Sequence, residues 1–208
     1  MSIKRFEIGP LSTNCYLFTD DKTGEAVIVD PAFCSEKLLE EIEKVNLKYI
    51  LLTHAHADHI MAVHSIKAQT GASIVAHINE AERLSSAKAN LHSAIGCYLE
   101  DYVPETIDIA VNDGDVLEFG EKMITVIHTP GHTDGSLCFL CDDVIFCGDT
   151  IFKGSYGRTD FPTGNLSSLI DSYYKLCELE GDYLMLPGHQ ESTTLNVERE
   201  FNPLSRYL

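Results

Sequence analysis

Three imidazoles and a carboxylate fall within six positions in Thr53-His54-Ala55-His56-Ala57-Asp58-His59, directly after the apolar run Tyr49-Ile50-Leu51-Leu52. Side chains of these types bind transition metals, and a loop leaving the end of a strand holds them on fixed backbone. If the chain stays extended, His54 and His56 point the same way, because side chains alternate with a period of two. Asp58 and His59 follow a change of parity and face a neighbouring position. The loop therefore has room for two metals.

Three later loops share one property with this one: each follows a β-type run and carries a ligand-type residue next to Gly or Pro. They present His132 after Pro130-Gly131, Asp149 after Gly148, and His189 after Pro187-Gly188. Small or rigid neighbours let backbone approach a crowded centre, and strand ends are where α/β folds place their sites.

The elements that must position these loops are legible as runs of β-formers and helical periods. Strands are expected at 3–9, 14–19, 26–29, 48–52, 73–76, 115–119, 123–127, 136–141, 143–147 and 183–186. Leu38, Leu39, Ile42 and Val45 have helical spacing behind Ser35 as N-cap. A second helix is expected from Asp58 or His59 to about Gln69, stopped by Gly71. Another starts at 77–80, and the segment 165–178 places Leu166, Leu169, Ile170, Tyr173, Tyr174 and Cys177 on one face. The tail 193–207 reads as a helix interrupted near Pro203. Residues 85–110 show no single period and are expected to form an irregular helical lid beside the site. Strands with interspersed helices, in two similar halves, fit an α/β sandwich. His64, His77, His92 and His128 stand outside the clusters and are expected to be structural.

Composition narrows the function. The 208 residues carry 15 Lys and Arg against 32 Asp and Glu, and the resulting charge of −17 repels polyanions. Nucleic acid is an unfavourable partner, since phosphate binding depends on clustered cations. One domain with a substantial core is the default at this length. The N-terminus has no apolar run of signal-peptide length and no segment reaches membrane-span length, so the expectation is a cytoplasmic protein with no membrane partner. Seven cysteines, mostly in apolar surroundings, read as reduced buried thiols. Cys138 and Cys141 form a C-x-x-C, but in a strand they face opposite sides, which argues against a redox or zinc role.

The T-H-x-H-x-D-H, T-P-G-H-T, G-D-T and P-G-H elements resemble the metallo-β-lactamase superfamily in order and spacing over essentially the whole chain. The resemblance implies an αββα sandwich with a dinuclear site at one edge. It implies that His54, His56 and His132 hold one metal, that Asp58, His59 and His189 hold the other, and that Asp149 bridges them. Two divalent ions are implied, zinc first, with iron or manganese equally suited to imidazole and carboxylate. Within the superfamily the stretch from Gly148 to Pro162 is most similar to the short glyoxalase II (hydroxyacylglutathione hydrolase) proteins, and the C-terminal helical domain of the full-length enzymes is expected to be absent. Arg158 stands where those enzymes use a Lys to hold the thiol carrier. The aromatic positions they also use are replaced by Asp160 and Glu191, which leaves the carrier open.

The implied reaction is hydrolysis of a small S-lactoylglutathione-like thioester. Two divalent ions about 3.5–4 Å apart share a hydroxide whose pKa falls to about 7. Asp58 is the residue expected to orient the nucleophile and accept its proton while remaining a ligand. Arg158 and Lys153 are expected either to attract a substrate carboxylate or to serve in surface pairing, Tyr156 to border the pocket, and Asp160 to pair with Arg158. Three rivals remain at this level. The run Arg158-Thr159-Asp160-Phe161 also resembles iron-dependent persulfide dioxygenases of the same superfamily. The same centre could attack phosphodiesters, which the acidic balance opposes. The third is a non-catalytic metal-binding module.

Overall fold

Strand β2 (Thr13–Thr19) is buried on both sides: Tyr16 and Phe18 face one core while Cys15 and Leu17 face another. A strand covered on both faces must be apolar at successive positions, and that is why this run shows no polar alternation. The same division holds in β3 (Glu25–Val29) and β4 (Asn46–Leu51). Val27, Val29 and Leu51 point inward, and Ala26, Ile28 and Ile50 point the other way.

The computed structural model describes residues 2–94 and 101–207 and contains two six-stranded mixed sheets. In the first, β1 (Ser2–Ile8), β2 and β3 run antiparallel, and β3, β4, β5 (Ser73–His77) and β6 (Ile109–Val111) run parallel. The second contains β7 (Val116–Phe119), β8 (Lys122–His128), β9 (Leu137–Cys141), β10 (Val144–Gly148), β13 (Leu184–Pro187) and β14 (Thr193–Thr194), in the order β14-β13-β10-β9-β8-β7. Only its β10–β13 pair is parallel. A short hairpin of β11 (Ile151–Phe152) and β12 (Ser155–Tyr156) stands apart.

The inner faces meet in a core that includes Phe18, Phe119, Phe139 and Phe146, with Phe18 and Phe119 packed edge to face. Outside the first sheet lie α1 (Glu36–Ile42) and α3 (Val63–Thr70), through Leu38, Ile42, Val63 and Ile66. Outside the second lie α5 (Leu166–Cys177) and α6 (Leu195–Phe201), through Leu169, Tyr173, Leu176 and Leu195. The layers are therefore helix, sheet, sheet, helix, the expected αββα sandwich. Cys138 falls in the outer core and Cys141 in the inner one, on opposite faces of β9 as their spacing required.

Several expectations are corrected. The helix expected from 58 to 69 is two pieces, α2 (Ala57–Ile60) and α3. At the break the Ala62 N–H donates to Pro31 O at 3.0 Å, an interaction outside the helical ladder. Gly71 ends α3 in the left-handed conformation, as its position implied. The helix beginning at 77–80 is a 3-10 turn, Ile78–Glu80, followed by α4 (Ala81–Ser85). Of the lid expected at 85–110, residues 95–100 lie outside the described residues. The remainder forms turns to residue 94 and an irregular run into β6, with Tyr102 and Ile107 packed on the helix-side core. Strand β6 escaped notice because it has three residues and pairs on one side only among the described residues. No helix among the described residues is long and apolar enough to cross a membrane.

Candidate metal centre

The carboxyl ends of β3, β4, β8, β10 and β13 converge on one edge of the sandwich, where backbone hydrogen bonds stitch the two sheets together. Leu137 N donates to Thr53 O at 2.8 Å and Asn14 N to Gly188 O at 2.7 Å, while within the second sheet Gly188 N donates to Gly148 O at 2.8 Å. The Asn14 side chain and the Tyr16 hydroxyl both donate to Pro187 O, at 2.9 and 2.7 Å. These contacts fix the strand ends that carry the ligand-type residues.

All seven predicted metal residues meet here. His56 precedes α2 in extended conformation, so His54 and His56 leave a β-like segment while Asp58 and His59 sit on the first turn of the helix. One set of ligand atoms comes from His54, His56 and His132, another from Asp58, His59 and His189, each within 4.8 Å of one another. Asp149 lies between them. Its Oδ1 is 3.4 Å from His59 Nε2, and its Oδ2 is 3.6 Å from His132 Nε2 and 3.7 Å from His189 Nε2. Gly188 makes this closeness possible: a Cβ there would collide with the Asp149 carboxylate and the His59 ring.

Do these groups suit a metal? The Nε2 atoms of His54 and His59 and the Oδ1 of Asp149 are buried with no hydrogen-bond partner among the described residues. Buried polar atoms are rarely left unsatisfied, and three in one cluster call for an electrophile that the side chains do not supply. Burial, and then the neighbouring imidazoles, keep His54 and His56 well below the ordinary histidine range, so their lone pairs are free to coordinate. Burial opposes charge on His59, yet Asp58, Asp149 and Asp30 push its imidazole up to about 10. Burial likewise opposes ionisation of Asp58, but His59 and His189 hold its carboxyl well below the usual range. This half of the site attracts positive charge. The donor set fits two divalent cations.

Outer contacts orient the rings, as metal-binding imidazoles require. His54 Nδ1 faces Thr53 Oγ1 at 3.1 Å, His132 Nδ1 donates to Arg158 O at 2.7 Å, and His189 Nδ1 donates to Leu11 O at 3.2 Å. His59 Nδ1 is 3.0 Å from Asp30 Oδ2. Asp30 is grouped in space with His54 and His59, but its oxygens already accept the Thr53 N–H at 2.8 Å and the Thr53 hydroxyl at 2.6 Å. It is an orienting group. Asp30 is not among the ligand-type residues read from the sequence, although its place after the strand expected at 26–29 and next to Pro31 matches the other loops.

A cavity of about 390 Å³ opens onto the centre, within the range of small-molecule sites. His56, Asp58, His132, Asp149 and His189 lie on its floor, and Leu11, Phe152, Tyr156, Arg158 and Phe161 form its sides. Tyr156 borders the cavity, and Arg158, for which the sequence left substrate attraction and surface pairing open, both lines it and pairs with Asp160. The Arg158 guanidinium lies 3.9 Å over the Phe161 ring and makes two 2.7 Å hydrogen bonds to Asp160. Lys153 does not line the cavity. It is exposed and pairs with Glu191 at 2.6 Å, the surface alternative, because the turn between β11 and β12 carries it away from the floor. His128 Nε2 donates to Asp134 O at 3.0 Å and the ring stacks on His77, outside the ligand set. No described residue from 85 to 110 lines the cavity.

The family model described as the metallo-beta-lactamase superfamily matches residues 8–189. The chain belongs to the metallo-beta-lactamase superfamily. Among similar members, hydroxyacylglutathione hydrolase GloC of Haemophilus influenzae is 32% identical over 98% of this chain and 97% of its own length. The BLEG-1 B3 metallo-beta-lactamase superimposes with a TM-score of 0.89 at 32% identity, covering 97% of this chain and 98% of that one. TTHA1623, solved in a di-iron-bound form, superimposes at 0.82 with 29% identity over 96% and 98% of the two chains. The superfamily assignment agrees with the αββα layers and with the His/Asp clusters at their edge.

Proposed function

We propose that this metallo-beta-lactamase superfamily member is a dinuclear thioester hydrolase acting on a small acyl thioester. The observation that carries the reading is the position of Asp149, whose two oxygens face the two ligand trios from one carboxylate. A pair of divalent cations, when bound, lowers the pKa of coordinated water and polarises a carbonyl. His54, His56 and His132 would hold one, and Asp58, His59 and His189 the other, with Asp149 shared. Zinc, iron and manganese all suit these donors.

The chain's own groups supply the rest. Asp58 lines the cavity as an ionised carboxylate, 3.2 Å from His189 Nε2, and is assigned to take the proton of the attacking water. Leu11, Phe152 and Tyr156 offer an apolar side against which an acyl chain or thiol carrier rests and excludes bulk water. Arg158, held flat by Phe161 and Asp160, presents its charge at a fixed place and is assigned to orient an anionic carrier. A thiolate is a good leaving group, so no separate acid is needed to expel it. The 32% identity to hydroxyacylglutathione hydrolase GloC along nearly the full length of both chains supports a thioester as the substrate class.

A panel of S-lactoyl thioesters on glutathione, cysteine and a neutral thiol, offered to metal-loaded protein, tests this reading and identifies the carrier. A β-lactam and a persulfide with oxygen detection belong in the same panel. Turnover confined to either of those would replace the thioesterase assignment.

A further inference from the structure

Glu80, at the end of the 3-10 turn after β5, is fully buried between the two loops that carry the first imidazole trio. Its Oε2 accepts the backbone N–H of Ala55 at 2.9 Å, and Ala55 stands between His54 and His56. Its Oε1 accepts the hydroxyl of Thr133 at 2.6 Å, and Thr133 follows His132. Thr133 is held in turn, its N–H and hydroxyl lying 3.0 and 2.8 Å from Ser136 Oγ. Gly135 leaves the space that the carboxylate occupies, since a Cβ there would sit 2.5 Å from Glu80 Oε1.

A buried carboxylate is costly unless a cation offsets it, and Arg83 does so from the next helix at 3.0 Å. The guanidinium is itself tied down by Asn79 O at 3.0 Å, by Asp134 at 2.6 Å and by the Thr163 hydroxyl. The second trio has further supports, one of which, Asp30, is shared through Thr53 with His54. Asp30 orients His59, and the Asn14 and Tyr16 contacts to Pro187 O precede His189.

We propose that Glu80 is a positioning residue that sets the His54, His56 and His132 geometry, one carboxylate tying the loop of His54 and His56 to the loop of His132. This rests on the two-cation reading of the site. Outer-shell groups of this kind change metal affinity by about 10–100-fold when removed. A brace confined to one trio changes one binding step and leaves the other.

The test is stepwise titration of the apoprotein with zinc against a competing chelator, and with cobalt followed by its visible absorption. The wild type is compared with Glu80→Gln, which keeps the volume but replaces one acceptor with a donor, and with Asp30→Asn. Wild type binding two ions, with Glu80→Gln weakened about 10–100-fold at one step only, supports the proposal, Asp30→Asn being the comparison that disturbs residues of both trios. Equal weakening of both steps by Glu80→Gln, or none, overturns the Glu80 assignment while leaving the two-cation reading intact. Wild type binding fewer than two ions overturns that reading and, with it, an effect confined to one of two steps. Should Glu80→Gln fail to fold, Thr133→Val removes the 2.6 Å bond, together with the hydroxyl contact to Ser136, and keeps the Ala55 bond, and the same step should weaken by a few-fold. Hydrogen exchange at the Ala55 amide gives a readout independent of metal: it should accelerate in Glu80→Gln, and unchanged protection contradicts the brace.

Discussion

His59 Nδ1 lies 3.0 Å from Oδ2 of Asp30, a carboxylate buried beneath the ligand loop and turned away from the cavity. Asp30 also accepts two hydrogen bonds from Thr53, so one side chain fixes both the start of the loop and the ring at its end. Its backbone has φ of 48°, a left-handed conformation that Asp and Asn tolerate better than other non-glycine residues. Asp30→Asn should therefore fold. It turns an amide toward one of its former donors, and stability should fall by about 1–3 kcal/mol, read by denaturant unfolding.

Loss of a ligand should differ in kind from loss of an orienting group. His54→Ala should reduce bound metal and abolish thioester turnover. Asp149→Ala, which strips a carboxylate facing both trios, should reduce metal content further. Metal analysis alongside a thioester assay checks both, and full activity in either variant contradicts the ligand assignment. Chelation of the wild type should lower Tm by several degrees, since a ligand bound only to the folded state stabilises by mass action.

Arg158 is held rigidly enough to select a carrier. Arg158→Met should raise KM about 10-fold for an anionic thiol carrier with little change in kcat, and leave a neutral thioester unaffected. Equal effects on both substrates would mean that the guanidinium serves only to hold Asp160 and Phe161 in place.

His77 and His128 stack face to face, their centroids 4.3 Å apart and 5° from parallel. Burial, and then the facing His128 ring, hold the His77 imidazole below the ordinary range. The unfolded chain thus binds this proton more tightly than the folded one, and stability falls as pH drops through about 6.5. His77→Asn keeps an acceptor for the Asn79 N–H that His77 Nδ1 accepts at 3.2 Å. Its loss of Tm between pH 7.5 and 5.5 should be smaller than that of the wild type by about 1–2 °C. An identical loss would show that the stack does not titrate.

The ligand residues were readable because they are clustered and punctuated by Gly and Pro, and the strands were readable because burial on both faces leaves unbroken apolar runs. What escaped was whatever depends on partners distant in the chain. Glu80 is a single acidic residue with no local pattern, Asp30 shows only a strand end next to Pro, and the roles of both arise only where the strand ends meet. Arg83, on a surface-looking helix, is buried because Glu80 and Asp134 enclose its head. The β11–β12 hairpin and β14 have two residues per strand, too few for a period of two to show. Lys153 looked equivalent to Arg158 in sequence, and only the hairpin turn separates their destinations.

The most direct test of the account is kcat/KM for S-lactoyl thioester hydrolysis by the metal-loaded protein, with oxygen consumption followed in the presence of a persulfide and both repeated after chelation. The account predicts thioester turnover that chelation removes and divalent metal restores, two metals per chain, and no oxygen uptake. One iron per chain with persulfide-dependent oxygen uptake and no thioester turnover would contradict it.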